Sequence, residues 1–158
     1  MRMVAALSLR WSVGLLALAA LAAAWAVGAS QTSETAREAQ SLKTVCARCH
    51  NLQIVMDTPK SYDAWHDTVQ KMVDLGAKGT DDQLDDVMDY LHRTMTTIAV
   101  NSADADELQI VLNVSEATAQ AIVARRRAKK FIGLADLKSV PGIEASTVDA
   151  KARMIFFR

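Results

Sequence analysis

The chain has 158 residues, which is enough for one ordinary domain or two small ones. Lysine plus arginine and aspartate plus glutamate each total 18, but the middle of the chain is acidic and its C-terminal part is mildly basic, so two units are indicated. Only two cysteines are present. This excludes a framework of several disulfides and leaves a buried cofactor as one candidate for stabilising a small central unit.

The N-terminal segment predicts export from the cytoplasm. Arg2 and Arg10 precede an almost uninterrupted apolar run over residues 11–29. This pattern is typical of a secretory signal peptide over residues 1–29. The run is also close to the roughly 20 residues that span a bilayer, so an uncleaved membrane anchor is the alternative. In both cases we expect a periplasmic protein, either soluble after signal cleavage or anchored by an N-terminal helix.

A motif of two cysteines and a histidine follows in the central part of the chain. Residues 36–50 are predicted to form a helix with both cysteines on its apolar face. The sequence C-A-R-C-H at its end has the C-x-x-C-H pattern of covalent haem attachment. Two thiols on one face can add to the two vinyl groups at one haem edge, and the adjacent imidazole can reach the iron. We therefore expect one haem c, attached through Cys46 and Cys49, with His50 as an iron ligand.

Three other uses of a C-x-x-C pair fit this sequence less well. A thioredoxin-like pair needs a βαβ context, and no strand pattern precedes this one. A zinc site needs about four ligands, and the only other histidines, His66 and His92, are far apart in the sequence with no further cysteine nearby. A disulfide across the two-residue gap would be strained and would leave His50 unexplained.

Two further helices are expected after a proline-containing loop over residues 51–60. Ser61 can cap the first of them, which ends near Gly76. The sequence T-D-D-Q over residues 80–83 is a capping box that opens the next helix, which runs to about Met95. This helix carries aspartates that either form a solvated face or steer a basic partner, namely Asp81, Asp82, Asp85, Asp86 and Asp89.

The second axial ligand of the iron has several candidates. A methionine would give a histidine–methionine pair, which reaches higher reduction potentials. The sequence offers four methionines and two histidines: Met56, Met72, Met88, Met95, His66 and His92. Met72 shares its predicted helix face with Trp65, a suitable wall for a porphyrin, whereas Met88 has the spacing of a core residue.

Four short segments carry a family resemblance: C-A-R-C-H, Trp65 to Met72, Gly76-Ala77 and Tyr90-Leu91. They make residues 40–93 similar to the small monohaem cytochrome c subunits that serve periplasmic dehydrogenases. The resemblance implies that Met72, the methionine before Gly-Ala, is the second iron ligand. A closed six-coordinate iron implies an electron carrier and no enzyme, whereas an open iron site would permit gas binding or peroxidase activity.

The C-terminal part of the chain contains two similar halves. Each is predicted to be a short helix, a tight turn and a second helix, with turns over residues 111–115 and 140–144. With the opening segment N-S-A-D-A-D-E-L, these halves make residues 100–156 resemble the tandem helix-hairpin-helix domain of bacterial competence DNA receptors. In that family, glycines in each turn let backbone N–H groups approach a DNA phosphate.

Both turns depart from the pattern of that family. Asn113 and Ser115 stand where the first turn would have glycines, and Glu144 stands at the second glycine of the second turn. A carboxylate repels phosphate, so the resemblance supports DNA binding only weakly. The basic run over residues 125–130 can contact DNA, acidic lipid or an acidic protein, or can simply end a helix. The same fold in the extrinsic U subunit of photosystem II docks to protein, an analogy that favours docking.

The sequence thus predicts an all-α protein in three parts. These are the signal peptide or anchor over residues 1–29, a three-helix monohaem cytochrome c domain over residues 34–97, and a tandem helix-hairpin-helix domain over residues 98–158. We expect a periplasmic electron carrier whose C-terminal domain docks it onto a redox partner protein or a membrane complex. The alternative is an extracytoplasmic DNA-binding helix-hairpin-helix protein that carries a haem.

Overall fold

The computed structural model describes residues 33–158, and this part of the chain is mostly helical, which confirms the predicted fold class. By their contacts the residues group into two units, 1–37 and 38–158, and only residues 33–37 of the first unit are described. The predicted signal peptide or anchor lies outside the described residues. Among the residues that are described, no helix is both long enough and apolar enough to cross a bilayer.

Four helices occupy residues 33–95: α1 over residues 33–46, α2 Gln53–Met56, α3 Tyr62–Asp74 and α4 Asp81–Met95. The predicted helix over residues 36–50 is wrong at its C-terminal end, because α1 stops at residue 46 and a turn follows. The predicted loop contains the short helix α2. This helix begins where the Asn51 side-chain oxygen accepts the Gln53 N–H at 2.8 Å, which satisfies one free donor of its first turn.

The predicted capping box at the start of α4 is confirmed. The Gln83 N–H donates to the Thr80 hydroxyl at 3.2 Å, and the Thr80 N–H donates to the Gln83 side chain at 3.1 Å. Ser61 occupies the N-cap position of α3 with extended backbone, but its side chain makes no capping hydrogen bond. The start of α4 is therefore fixed by local hydrogen bonds, whereas α3 depends more on the packing of its buried face.

Buried apolar side chains from α1, α3 and α4 form a first hydrophobic cluster, which consists of Leu42, Val45, Trp65, Val87, Leu91 and Met95. Trp65 is the largest of them, and its indole N–H donates to the Met95 carbonyl oxygen at 3.0 Å. Burial of one large apolar side chain contributes about 1.5–3 kcal/mol. This cluster therefore fixes α3 against α4, the two helices that form the walls of the candidate site.

Residues 96–158 form four more helices and two short strands. In chain order these are β1 Ile98–Ala99, α5 Ala105–Leu112, α6 Glu116–Ala128, α7 Leu134–Lys138, α8 Ala145–Ala150 and β2 Ile155–Phe156. The two strands pair in parallel, with Ile98 opposite Ile155. The pairing joins the beginning of this part of the chain to its end, and the four helices lie between the two strands in the sequence.

A second hydrophobic cluster is built from residues 98–155, and its most buried members include Leu108, Val111, Ile122, Phe131 and Leu137. The side chain of Asn101 holds three backbone groups beside this cluster. Its amide donates to the carbonyl oxygens of Phe131 and Phe157, both at 2.9 Å, and its oxygen accepts the Phe131 N–H at 2.9 Å. These bonds satisfy backbone groups that would otherwise be costly to bury.

Lys151 links the two halves of residues 38–158. Its ammonium group donates to the carbonyl oxygen of Arg93, near the end of α4, and to that of Val111, near the end of α5. Both carbonyls belong to last turns that lack helical donors, and a cation suits that end of a helix. Burial, with the nearby charge of Arg93, lowers the pKa of Lys151 to about 8. Arg93 itself pairs with Glu38 of α1.

Gly142 occupies a position at which an alanine would be strained and would clash with a neighbouring side chain. Its φ of +87° lies in the left-handed region, and an added Cβ would stand 2.3 Å from the Thr118 hydroxyl oxygen of α6. We expect Gly142→Ala to lower the free energy of unfolding by about 1–3 kcal/mol. Gly133→Ala is the matched control, because nothing lies within 4 Å of its Cβ position. Urea unfolding of both variants measures this, and equal midpoints would contradict the packing described.

Candidate haem site

Two pockets lie between α1, α3 and α4, with cavity volumes of about 240 and 430 Å³. They share four lining residues, Cys46, His50, Val69 and Met72. Since both pockets adjoin these residues, we treat them as the two ends of one apolar cavity and call it the cleft. The end with the smaller volume is called the Cys49 end, and the larger is called the Lys60 end, after residues that line only that pocket.

The C-x-x-C-H residues lie together at the mouth of the cleft. Cys46 is the last residue of α1, while Cys49 and His50 lie in the turn that follows. All three line the Cys49 end. The His50 Nδ1 lies 3.2 Å from the Asn51 carbonyl oxygen, and a hydrogen on Nδ1 can donate to it. That tautomer leaves the Nε2 lone pair for a metal, the usual arrangement of a ligating histidine.

The two thiols differ in their surroundings. Cys46 is half-buried, and burial raises the pKa of its thiol. Cys49 is exposed, and the structure contains no bond between the two sulfurs. Two free thiols at one edge of an apolar cavity fit attachment to a planar apolar group. Among residues 33–158, no cluster of three or more histidine, cysteine or acidic side chains is placed to hold a metal.

The walls of the cleft are apolar because α3 and α4 turn their apolar faces to it. Trp65, Val69 and Met72 follow a spacing of four and three residues, which places them on one face of α3. From α4, Leu84 and Val87 line one end and Leu91 lines the other. A thioether, an imidazole and two thiols surrounded by such walls fit the ligand and attachment chemistry of haem c.

Of the methionines considered as the second ligand, Met72 is the one that lines the cleft, and it lines both ends together with His50. Met95 is buried in the first hydrophobic cluster, and Met88 packs against that cluster. Met56 lies on α2 and is 37% exposed. None of these three lines either pocket. The geometry therefore favours Met72 over the other methionines.

The two histidine candidates lie elsewhere, in a cluster of rings with Tyr62. The His92 ring stacks on Tyr62 with centroids 3.9 Å apart, and the His66 ring lies 5.1 Å from that of His92. His92 is buried, and its Nε2 has no hydrogen-bond partner in the described part of the chain. Burial, assisted by the charge of His66, lowers the pKa of His92 from 6.5 to about 4.

The depressed pKa of His92 makes stability sensitive to acid. Between pH 6.5 and 4 the unfolded chain binds a proton that the folded chain does not, so stability falls as the pH falls through this range. We expect His92→Phe to remove about 3 kcal/mol of the loss between pH 7 and pH 4. His66→Phe, at an exposed position of the same cluster, is the control. It should keep most of the loss, because burial is the main cause of the lowered pKa of His92 and the charge of His66 is the smaller one. Denaturant unfolding at several pH values measures it.

The two turns of the C-terminal part have different backbone geometry. In the first, Asn113 adopts the left-handed conformation with φ of +51°, and the Ser115 hydroxyl accepts the Thr118 N–H at 3.2 Å to cap α6. In the second, Gly142 has the positive φ, and Glu144 is the N-cap of α8 without a side-chain capping bond. Asn tolerates this conformation better than most residues, which explains how the first turn forms without glycine.

Residues 94–155 match the helix-hairpin-helix motif family. The match confirms the fold predicted for this part of the chain and does not extend over residues 34–93. Neither the curated proteins nor the solved structures contain a match to the chain.

Within the helix-hairpin-helix region, the basic run over residues 125–130 is partly structural. Arg125 pairs with Asp136 and donates to the Ser139 hydroxyl at 2.6 Å. Arg126 donates to the Val100 carbonyl oxygen at 2.8 Å, and burial lowers the pKa of its guanidinium. Two of the three arginines therefore stabilise the fold. The basic side chains that remain exposed in this run are Arg127, Lys129 and Lys130.

The aspartates of α4 also divide into structural and exposed residues. Asp86 is buried and accepts the Ser41 hydroxyl at 2.8 Å. The exposed ones are Asp81, Asp82, Asp85 and Asp89.

Sequence reasoning missed the exposed rim of the cleft. Leu75 lines the Cys49 end and is 73% exposed, and Ile54 lines the Lys60 end and is 65% exposed. Leu75 directly follows α3 and Ile54 lies on the unpredicted helix α2, so helical periodicity gave no signal for either residue.

Proposed function

We propose that this protein is an exported electron-transfer cytochrome with one haem c. The haem would be attached through Cys46 and Cys49 and ligated by His50 and Met72. The observation that carries the proposal is that these four side chains, 26 residues apart at their limits in the sequence, line one apolar cleft. On an unrelated fold, we would not expect a C-x-x-C-H motif to line such a cavity together with a methionine.

The side chains of the cleft have distinct tasks in this proposal. The two thiols would attach the group, His50, oriented by the Asn51 carbonyl oxygen, would be one ligand of the iron, and Met72 would be the other. When bound, a haem supplies a one-electron iron couple whose potential a methionine ligand raises. The apolar walls would limit the access of water, and two protein ligands would leave the iron without a position for a substrate, so we propose an electron carrier and no enzyme.

The remaining surfaces suit docking to a redox partner. The exposed aspartates of α4 can steer a basic partner, since a charged face raises the rate of encounter. The helix-hairpin-helix region would hold the carrier on a partner protein or a membrane complex outside the cytoplasm. Its packing against α4, through Lys151 and α5, would keep the cleft in a fixed orientation to that partner.

Redox titration with a carbon monoxide control tests the electron-carrier proposal. The protein, made in a host that matures c-type cytochromes, should reduce and reoxidise reversibly, and its reduced spectrum should not change when carbon monoxide is added. A six-coordinate iron with a bound methionine has no free position for the gas. A rapid spectral change with carbon monoxide would indicate an open iron site and would contradict the proposed carrier.

The alternative function is DNA binding by the helix-hairpin-helix region, and the family match is the observation that favours it. The second hairpin keeps the sequence Pro141-Gly142, but Glu144 occupies the N-cap position of the following helix, where its carboxylate would repel a phosphate. A gel-shift titration of duplex DNA at about 50 mM salt tests it, because nonspecific binding is strongest at low salt. Retardation that weakens as salt rises would support DNA binding, and no retardation would remove it.

A further inference from the structure

The Lys60 end of the cleft differs from the Cys49 end in polarity. Among the described residues that line the two pockets, Lys60 is the only one with a fixed charge. It lines the larger pocket, together with the hydroxyl side chains of Thr58 and Thr68. The Cys49 end is lined by apolar side chains apart from the cysteines and His50. The cleft therefore has one apolar end and one end with a cation.

Apart from Cys46 and His50, which the haem would use, the other polar side chains of the Lys60 end have already used their hydrogens. The Thr58 hydroxyl donates to the Ile54 carbonyl oxygen at 2.9 Å, and the Thr68 hydroxyl donates to that of Ala64 at 2.7 Å. The indole N–H of Trp65 donates to the Met95 carbonyl oxygen at 3.0 Å. An acidic group that enters this end of the cleft therefore finds one side chain with free donors, the ammonium group of Lys60.

Lys60 is held in place by its backbone while its side chain stays uncommitted. Its N–H donates to the Met95 carbonyl oxygen at 3.2 Å, and its own carbonyl oxygen accepts the Thr97 N–H at 2.8 Å. The ammonium nitrogen lies 5.7 Å from the centre of the Trp65 ring, a cation–π contact. Within residues 33–158 the side chain makes no ion pair. Lys60 is half-buried at the edge of an otherwise apolar cavity, where a cation without an acidic partner among the described residues is unusual.

We infer that Lys60 is the residue that binds a propionate carboxylate of the haem, an inference that rests on the proposed function. The vinyl carbons, which the cysteines attach, and the propionates lie on different edges of a porphyrin. Cys46 lines both ends of the cleft, but Cys49 lines only one end and Lys60 only the other, so Lys60 is separated from the Cys49 attachment point as this division requires. An ammonium group is a strong partner for a carboxylate that has lost part of its water.

Through this pairing, Lys60 would change the midpoint potential of the iron, which a purely structural residue would not. Without the cation, the carboxylate keeps its full negative charge close to the iron, which favours the oxidised form with its additional positive charge. Lys60→Gln should therefore lower the midpoint potential, and it should raise the pH at which that potential begins to depend on pH. Lys60→Arg keeps the charge and should stay close to the wild type in both measurements.

Spectroelectrochemical titration of the attached holoproteins between pH 4 and 9 tests the inference. Lys43→Gln, which removes the same charge from an exposed position of α1 outside the cleft, is the matched control. A lower potential in Lys60→Gln than in Lys43→Gln, restored in Lys60→Arg, supports the inference. Equal potentials in Lys60→Gln and Lys43→Gln overturn it while the attached haem still stands. A colourless wild-type protein, by contrast, overturns the proposed function and this inference with it.

Discussion

The variants Cys46→Ala and Cys49→Ala should each lose most of their covalently bound pigment, and the double variant should lose all of it. Each thioether bond needs its own sulfur, and both sulfurs line the cleft beside His50. Haem-dependent peroxidase staining of a denaturing gel measures covalent attachment directly, because a haem that is only ligated leaves the chain when the protein unfolds.

Arg48→Ala is the matched control for the cysteine variants. Arg48 lies between the two cysteines in the same turn and is exposed, and it does not line the cleft. This variant should stain as strongly as the wild type. If the double cysteine variant kept its stain, the pigment would be attached elsewhere and the role assigned to the motif would be wrong.

The variant Met72→Ala should keep its covalent haem but lose the sixth ligand of the iron. We expect high-spin iron, loss of the long-wavelength methionine–iron band of the oxidised spectrum, binding of carbon monoxide after reduction, and a lower midpoint potential. These changes follow because methionine ligation raises the potential and closes the coordination sphere. They should be among the largest effects of any single substitution that leaves the haem attached.

Met88→Ala separates ligation from packing. Met88 packs against the first hydrophobic cluster but does not line the cleft, so its loss should lower stability and leave the spectrum unchanged. Truncation of a fully buried methionine costs about 2–5 kcal/mol, and Met88 is half-buried, so we expect a loss near the lower end of that range. Should Met88→Ala abolish the methionine band while Met72→Ala keeps it, the ligand assignment would have to move to α4.

Local patterns in the sequence predict most of the helices. The capping box over residues 80–83 and the apolar spacing of α3 predict helices that the structure contains, since both signals act within a few residues of one another. The end of α1 and the whole of α2 are different. α1 ends where the turn that contains Cys49 begins, and α2 begins where the Asn51 side chain accepts a backbone N–H. Helical periodicity carries no information about either feature.

The candidate site shows the same division. The C-x-x-C-H motif can be found because its chemistry needs a fixed spacing, and the methionine before Gly-Ala follows from the resemblance. Lys60 cannot be found in this way. Its position at the cleft depends on backbone hydrogen bonds to Met95 and Thr97, which lie more than thirty residues later in the chain. The burial of Asp86 beneath Ser41 is likewise a consequence of packing between distant helices.

The structural use of Arg125 and Arg126 illustrates how a charge pattern can suggest the wrong surface. In the sequence, the run over residues 125–130 is uniformly basic. In the structure, Arg125 forms an ion pair with Asp136, and Arg126 donates a hydrogen bond to the Val100 carbonyl oxygen. Both partners are distant in the sequence, so only the fold shows that the exposed basic surface is smaller than the run suggests.

The intact mass of the protein, followed by peptide mapping, tests the central claim most directly. We expect the mass of the chain plus one haem, with the added mass on the single peptide that contains Cys46 and Cys49. The same spectrum reports whether residues before the helix α1 are removed. A mass equal to that of the polypeptide alone, from a host that attaches haem to other c-type cytochromes, would contradict the account.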